Sequence, residues 1–149
     1  MLVARRIRSL LLAALTITAL VAPDMEPASA ATEAEQRFHR KINRARVNRG
    51  LRRLHLSSRL SNIAREHSRG MASRRRMYHH SCLRCELRSF SWRIAGENVG
   101  VGYTVRQIHR RMMRSRAHRY NILRRGYRRV GIGTIRAGDK LYVTQIFLG

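Results

Sequence analysis

The sequence predicts an α+β domain in which helices pack on an antiparallel sheet. Stretches with helix caps and with apolar residues spaced along one helix face come first along the chain. Two β-rich runs joined by a short turn end it. Helices followed by paired strands are typical of a layered α+β domain, because each element must bury its apolar face against another. No internal repeat or low-complexity segment interrupts this order.

The first thirty residues have the pattern of a secretory signal peptide. Arginines lie between positions 5 and 8, an apolar run fills residues 10–22, and small residues occupy 28–30. Thirteen apolar residues rise only about 20 Å as a helix, whereas about 20 residues are needed to cross a bilayer core. We therefore predict a signal peptide over residues 1–30, one domain over 31–149 without a transmembrane segment, and a secreted, extracytoplasmic location.

Two helices are predicted from capping boxes. Thr32 with Glu35 opens the first, and its apolar face continues to Gly50, which is expected to end it. Thr104 with Gln107 opens another helix farther along the chain. The residues expected on the buried faces of these two helices are Phe38, Ile42, Ala45, Val105, Ile108 and Met112.

Between them, Ser57 is expected to cap a helix with a continuous apolar stripe. The stripe consists of Leu60, Ile63, Ala64, His67 and Met71. His67 is interpreted as a core histidine with its hydrogen bonds satisfied rather than as a ligand.

The C-terminal runs "RVGIGTIR" and "KLYVTQIFLG" are rich in β-branched and aromatic residues and predict two strands. Ala137, Gly138 and Asp139 separate them. This spacing predicts a hairpin with a three-residue turn.

The charge of the chain indicates an anionic partner. It has 32 basic and 8 acidic residues, a formal net charge of +24, and only Lys41 and Lys140 among its basic residues are lysines. Anionic envelope polymers, lipid head groups and nucleic acid all suit such a surface, nucleic acid through charge only. An arginine excess is also typical of a G+C-rich genome, so charge alone does not choose among them.

The stretch "YHHSCLRC" places His79 and His80 beside both cysteines of the chain, Cys82 and Cys85. Three alternatives arise: a zinc site, a redox motif and a local disulfide. Structural zinc sites usually join two ligand pairs across a long spacer, and a thioredoxin-like motif needs a βαβ context. In an oxidising compartment we expect the disulfide.

Four further pieces carry a resemblance to a known family. They are "GENVGVG", "HRYNIL", "RVGIG" and "YVTQIF", in this order. Together they resemble the CAP superfamily, also called the SCP domain, and in particular its small secreted bacterial members. The resemblance runs from about residue 33 to the C-terminus and implies a three-layer α-β-α sandwich with a central antiparallel sheet.

The resemblance also implies a candidate site. His80 matches the histidine that follows the family's second helix, and Glu97 matches the glutamate of its cavity. Many eukaryotic members add a second glutamate and a second histidine, which complete a tetrad able to hold a divalent cation. The corresponding positions here are Ser115 and Tyr142, so the tetrad is half present. His118 lies in the bacterial "HRYNIL" piece and joins the candidate ligand-binding residues.

A histidine and a carboxylate in one cleft can transfer a proton or share a metal ion. A hydrolase also needs a nucleophile with an oxyanion hole, or a complete metal shell with an open position. We therefore interpret the chain as a binding or interaction module that acts at an anionic envelope or on an amphipathic ligand. It requires no cofactor, and the resemblance implies zinc or another divalent cation at His80 and Glu97.

Two alternatives remain open. The first is a metal-assisted hydrolase of envelope material or peptide, against which the missing half of the tetrad argues. The second is a cationic antimicrobial or nucleic-acid-binding effector. Whether the protein is an enzyme is left undecided, with the balance against it.

Overall fold

A computed structural model describes residues 31–149, so the predicted signal peptide lies outside the described residues. Five helices and four strands occur in this range. In chain order they are α1 (Glu33–Val47), β1 (His55–Leu56), α2 (Ser58–Ser73), α3 (Leu83–Glu86), β2 (Ala95–Gly102), α4 (Val105–Arg114), α5 (Arg116–Leu123), β3 (Arg129–Ala137) and β4 (Lys140–Leu148). Within residues 31–149, no helix combines the length and apolar character that crossing a membrane requires.

The strands form one sheet in the order β1-β3-β4-β2. β4 pairs antiparallel with both β3 and β2, whereas the short β1 pairs parallel with β3. β2 therefore forms one edge of the sheet, and it reaches its place beside β4 although three other elements separate the two strands in the sequence.

Alternating residues of β4 divide the core between the two faces of the sheet. Val143 and Phe147 pack in a cluster with residues of α1, α4 and α5. Tyr142 and Ile146 pack on the other face, against residues of α2. The structure is thus a three-layer α-β-α sandwich with a central, mainly antiparallel sheet, which confirms the predicted fold class.

Glycines let α2 lie directly on β3. A Cβ atom on Gly133 would come within 2.0 Å of the backbone nitrogen of Arg65, and one on Gly131 within 2.4 Å of the backbone carbon of Leu60. No side chain fits between helix and strand at these two positions. This close contact sets the distance between α2 and the sheet, and therefore also the distance of His67 from the sheet.

The predicted helices α1, α2 and α4 are confirmed. Thr32 and Glu35 form the expected capping box, and Ser57 accepts a hydrogen bond from the backbone of Leu60. Phe38 and Ile42 are fully buried. α1 ends at Val47 rather than at the glycine, because a turn over residues 48–50 follows it.

Two details of the sequence interpretation are wrong. The turn between β3 and β4 contains two residues, because Ala137 pairs with Lys140, and Gly138 supplies the positive φ of 58° that a tight hairpin needs. The capping box at Thr104 is only half formed. Gln107 accepts the backbone N–H of Tyr103 instead of that of Thr104.

Candidate functional site

A buried carboxylate, Glu97 of β2, forms the centre of the candidate site. Its Oε1 accepts a hydrogen bond from His80 Nδ1 at 2.5 Å, and its Oε2 accepts one from His79 Nδ1 at 2.7 Å. The backbone N–H of His80 donates to Oε2 at 3.2 Å. These bonds fix the segment that follows α2 against the edge of the sheet, so the predicted pair His80 and Glu97 does meet.

A third histidine, from α2, completes the cluster. His67 of α2 is buried, and its ring stacks on that of His80 with centroids 3.7 Å apart. Its Nδ1 bonds to the Thr144 hydroxyl at 3.0 Å and lies 3.7 Å from Oε1 of Glu97. The apolar stripe predicted the burial of His67, but not its position beside Glu97.

The protonation of the cluster follows from burial and from these contacts. Burial raises the pKa of Glu97, but the hydrogen bonds from His80 and His79 outweigh it and hold the carboxyl pKa below its usual value. Burial, and then the charge of His80, lowers the pKa of His67. A carboxylate beside a neutral imidazole is therefore the favoured state near neutral pH.

The donor set of this cluster fits a divalent cation. His67, His80 and Glu97 each offer one ligand atom, and the three atoms lie within 4.8 Å of one another. Two imidazoles and a carboxylate are the protein ligands of several zinc sites with an open fourth position. In addition, Nε2 of His67 is buried without a hydrogen-bond partner among the described residues. These residues therefore fit the ion that the sequence resemblance implies.

Two other predicted residues line a neighbouring groove. Ser115 and His118 belong to a groove of about 340 Å³ beside β2, which includes Met77, Ile108 and Met112. Burial, and then the charge of His79, lowers the pKa of His118. Among the described residues, no hydrogen bond or ion pair joins the His118 side chain to Glu97.

Tyr142, the last predicted residue, belongs to the core. Its side chain is 3% exposed and packs in a cluster with Met71 and Val99 on the α2 face of the sheet. It thus fills space at the position that the family resemblance assigns to a second histidine.

Cys82 and Cys85 are joined by a disulfide across three positions of sequence. The bridge encloses the start of α3, the short helix from Leu83 to Glu86. Both cysteines are exposed and follow closely after His80. In this state neither sulfur is a free thiolate, and the atoms that could hold a cation are those of the histidines and Glu97.

The sequence model of the cysteine-rich secretory protein family, CAP, matches residues 39–147 of this chain. Uncharacterized protein YkwD of Bacillus subtilis is 30% identical over 128 residues, which cover 81% of this chain and 49% of that protein. The chain thus spans about half the length of this curated relative.

Solved structures show the same fold. A cysteine-rich secretory protein from Staphylococcus aureus matches with a TM-score of 0.68 and 25% identity, over 82% of this chain and 40% of that chain. An extracellular protein containing a SCP domain from Bacillus anthracis matches with a TM-score of 0.68 and 24% identity, over 77% and 40%. An outer surface protein from Borrelia burgdorferi matches with a TM-score of 0.72 and 13% identity, over 80% and 94%.

Proposed function

Because this chain belongs to the cysteine-rich secretory protein family, CAP, we propose that it is a secreted binding module for phosphate-bearing polymers or lipid head groups of a cell envelope. The observation that carries the proposal is the distribution of charge over the layers of the fold. From residue 98 to residue 138 the chain contains no acidic residue. This stretch includes α4, α5 and all of β3.

The basic residues of α1, α4 and α5 form what we call the cationic face. Glu33 and Glu35 are the acidic residues of these helices, and Glu35 is buried in an ion pair with Arg65 of α2. The cationic face consists of the exposed Arg37, Arg40, Arg44, Arg106, Arg110, Arg111, Arg114, Arg116 and Arg119 and the half-exposed Lys41. One layer of the sandwich is therefore almost uniformly positive.

Within this face, α1 and α4 enclose a groove of about 580 Å³. Arg37, Arg40, Lys41 and Arg106 line it. Of these four, only Arg37 has a carboxylate of the described residues within ion-pair distance, the exposed Glu33. Three cationic side chains therefore stay available for a phosphate group.

The test is binding of the protein to vesicles of phosphatidylglycerol and phosphatidylcholine and to poly(glycerol phosphate). The triple variant Arg40→Gln, Lys41→Gln, Arg106→Gln should weaken binding to the vesicles by about 100-fold, at about 1 kcal/mol for each basic residue near an anionic surface. Binding should also weaken steeply with salt, since exposed charges are screened beyond about 8 Å at physiological ionic strength.

A matched triple variant changes the net charge equally outside the cationic face: Arg59→Gln, Arg88→Gln, Arg93→Gln. It should weaken binding by less than about threefold if the face, rather than the total charge, makes the contact. Equal losses in the two triple variants, or equal affinity for duplex DNA, would indicate electrostatics without a specific surface.

A second candidate function is binding of a divalent cation, favoured by the three convergent ligand atoms of His67, His80 and Glu97. When bound, such an ion supplies a Lewis acid with an exchangeable coordination position. His67 and His80 would bind it as neutral imidazoles. Glu97 would contribute the negative charge, with His79 orienting its carboxylate through Oε2.

A further inference from the structure

The bridge between Cys82 and Cys85 is local. Its cysteines are three positions apart, one at the N-cap of α3 and the other within that helix, so the bridge joins no two elements of the fold. A disulfide stabilises a protein more when it closes a long loop of the unfolded chain, and this loop is among the shortest. The fold therefore depends less on this bridge than on a disulfide between distant segments.

Other contacts hold the same segment in place on both sides of the bridge. Before it, His79 and His80 donate hydrogen bonds to the carboxylate of Glu97. After it, Leu87 is fully buried, and its backbone carbonyl accepts the indole N–H of Trp92. We therefore expect the segment to keep its position in the fold when the bridge is opened.

Both cysteines are exposed, and the backbone distinguishes their two sulfur atoms. In thiol–disulfide exchange, a thiolate attacks one sulfur of a disulfide while the other sulfur leaves with a negative charge. The backbone N–H of Cys85 donates a hydrogen bond to Sγ of Cys82 at 3.2 Å. Such a bond strengthens as its acceptor becomes an anion. Cys82 is therefore the better leaving group, and Cys85 carries the sulfur that is attacked.

The surroundings of the bridge are basic. Arg84 lies between the two cysteines, and Arg88 follows about one turn later. Both arginines are exposed, and the guanidinium of Arg84 lies over the ring of Trp92, 5.5 Å from its centroid. From residue 67 to residue 96 of the sequence, Glu86 is the only acidic residue. An anionic thiol is therefore attracted to the bridge more strongly than a neutral or cationic one.

From these features we propose that the Cys82–Cys85 bridge exchanges its disulfide with anionic thiols. The thiolate attacks Sγ of Cys85, which forms a mixed disulfide and releases Cys82 as a thiolate. A second thiolate then attacks the sulfur of the bound thiol and releases Cys85. In sum, two thiols are oxidised to one disulfide, and their two electrons and two protons convert the bridge to two cysteine thiols. The reverse reaction, with a disulfide of the same class, restores the bridge.

This inference goes beyond the proposed function, because its reaction is covalent and its cysteines lie outside the cationic face. The first experiment treats the oxidised protein with millimolar glutathione in the absence of denaturant. Acid quenching, alkylation and mass spectrometry should show that both cysteines become alkylated, and urea unfolding should show that the reduced protein is still folded. Structural disulfides resist the glutathione pool. A bridge that opens only in denaturant, or a chain that unfolds when it is reduced, would overturn the proposal.

A matched pair of variants tests the two sulfur roles. Cys85→Ser and Cys82→Ser each leave one cysteine, which is first converted to its mixed disulfide with glutathione. The uncharged thiol 2-mercaptoethanol should then release Cys82 about fivefold faster than Cys85, which is the ratio that one net hydrogen bond of ordinary strength supplies. Equal rates, or faster release of Cys85, would contradict the assignment of Cys82 as the leaving group.

The preference for anionic thiols is tested by comparing glutathione with the cationic thiol cysteamine. Each rate is divided by the rate of the same thiol with bis(2-hydroxyethyl) disulfide, which carries no charge. Glutathione should be favoured by at least about threefold at low salt, and the preference should shrink as salt is added. Arg84→Gln should reduce the preference, whereas Arg110→Gln, an equal change of charge on the cationic face, should leave it unchanged. Equal normalised rates for the two thiols, or equal effects of the two variants, would overturn the assigned thiol class.

Vesicle binding separates this proposal from the proposed function. Because the cysteines lie outside the cationic face, the oxidised and reduced proteins should bind phosphatidylglycerol vesicles equally. Loss of exchange with vesicle binding intact would refute only the exchange site, and the reverse result would refute only the envelope-binding module.

Discussion

The imidazole rings of His67 and His80 stack with centroids 3.7 Å apart and planes 20° from parallel. Both rings lie against one carboxylate, that of Glu97. Two protonated rings at this distance would repel each other, which agrees with the lowered pKa of His67. One divalent cation would neutralise the carboxylate without placing a charge on either ring. The two histidines are therefore better suited to bind one metal ion together than to carry one proton each.

We therefore predict that zinc binding depends on all three residues. His67→Gln, His80→Ala and Glu97→Gln should each weaken zinc affinity by at least about tenfold, because removal of even an outer-shell partner typically costs 10- to 100-fold. Isothermal titration calorimetry on the oxidised protein measures this. His118→Ala is the matched control and should bind zinc as the wild type does, since His118 lies in the neighbouring groove.

The disulfide should stabilise the fold without contributing to zinc binding. Replacing both Cys82 and Cys85 by serine removes the bridge, and a loop as short as this one predicts a loss of about 2 kcal/mol in the free energy of unfolding. Urea denaturation measures the loss, and zinc titration of the same variant should be almost unchanged. Loss of zinc binding in this variant, with none in Glu97→Gln, would make the cysteine-histidine cluster the metal site.

The contact between α2 and β3 predicts that one added methyl group will lower the free energy of unfolding substantially. Gly133→Ala places Cβ against the backbone of α2, which has to move, and should cost at least about 3 kcal/mol, at the upper end for overpacking. Gly100→Ala is the control, because its Cβ would meet the flexible end of Met112 instead. Urea unfolding should show a clearly smaller loss for Gly100→Ala, and equal losses would contradict direct helix-strand packing.

Local signals in the sequence predicted most of the helices and the hairpin, but not β2. The caps at Thr32 and Ser57 and the apolar stripes are local features, and they act in the folded chain as the sequence indicated. In contrast, β2 contains Gly96, Gly100 and Gly102, which lower its strand propensity. These glycines instead allow side chains such as Tyr127 and Met112 to pack closely on the sheet.

Only part of the candidate site could be predicted from the sequence. His80 and Glu97 were identified by motif, whereas the role of His67 depends on which residues of α2, β2 and β4 the fold brings together. Helical periodicity shows that a residue is buried but not which residue it contacts across the sheet. Similarly, the sequence placed Tyr142 among the ligand-binding candidates, and only the packing of the α2 face shows that it is a core residue.

The stability of the fold should decrease in acid partly through His109 of α4. Burial, and then the charge of Lys41, lowers the pKa of His109 from 6.5 to about 4. The unfolded chain therefore binds more protons than the folded one between these values, and the free energy of unfolding falls as the pH drops through this window. His109→Gln removes this titration and should reduce the loss between about pH 7 and pH 4 by roughly 2 kcal/mol. Urea unfolding across this range measures the difference, and parallel stability curves for wild type and variant would show that His109 titrates alike in the folded and unfolded chains.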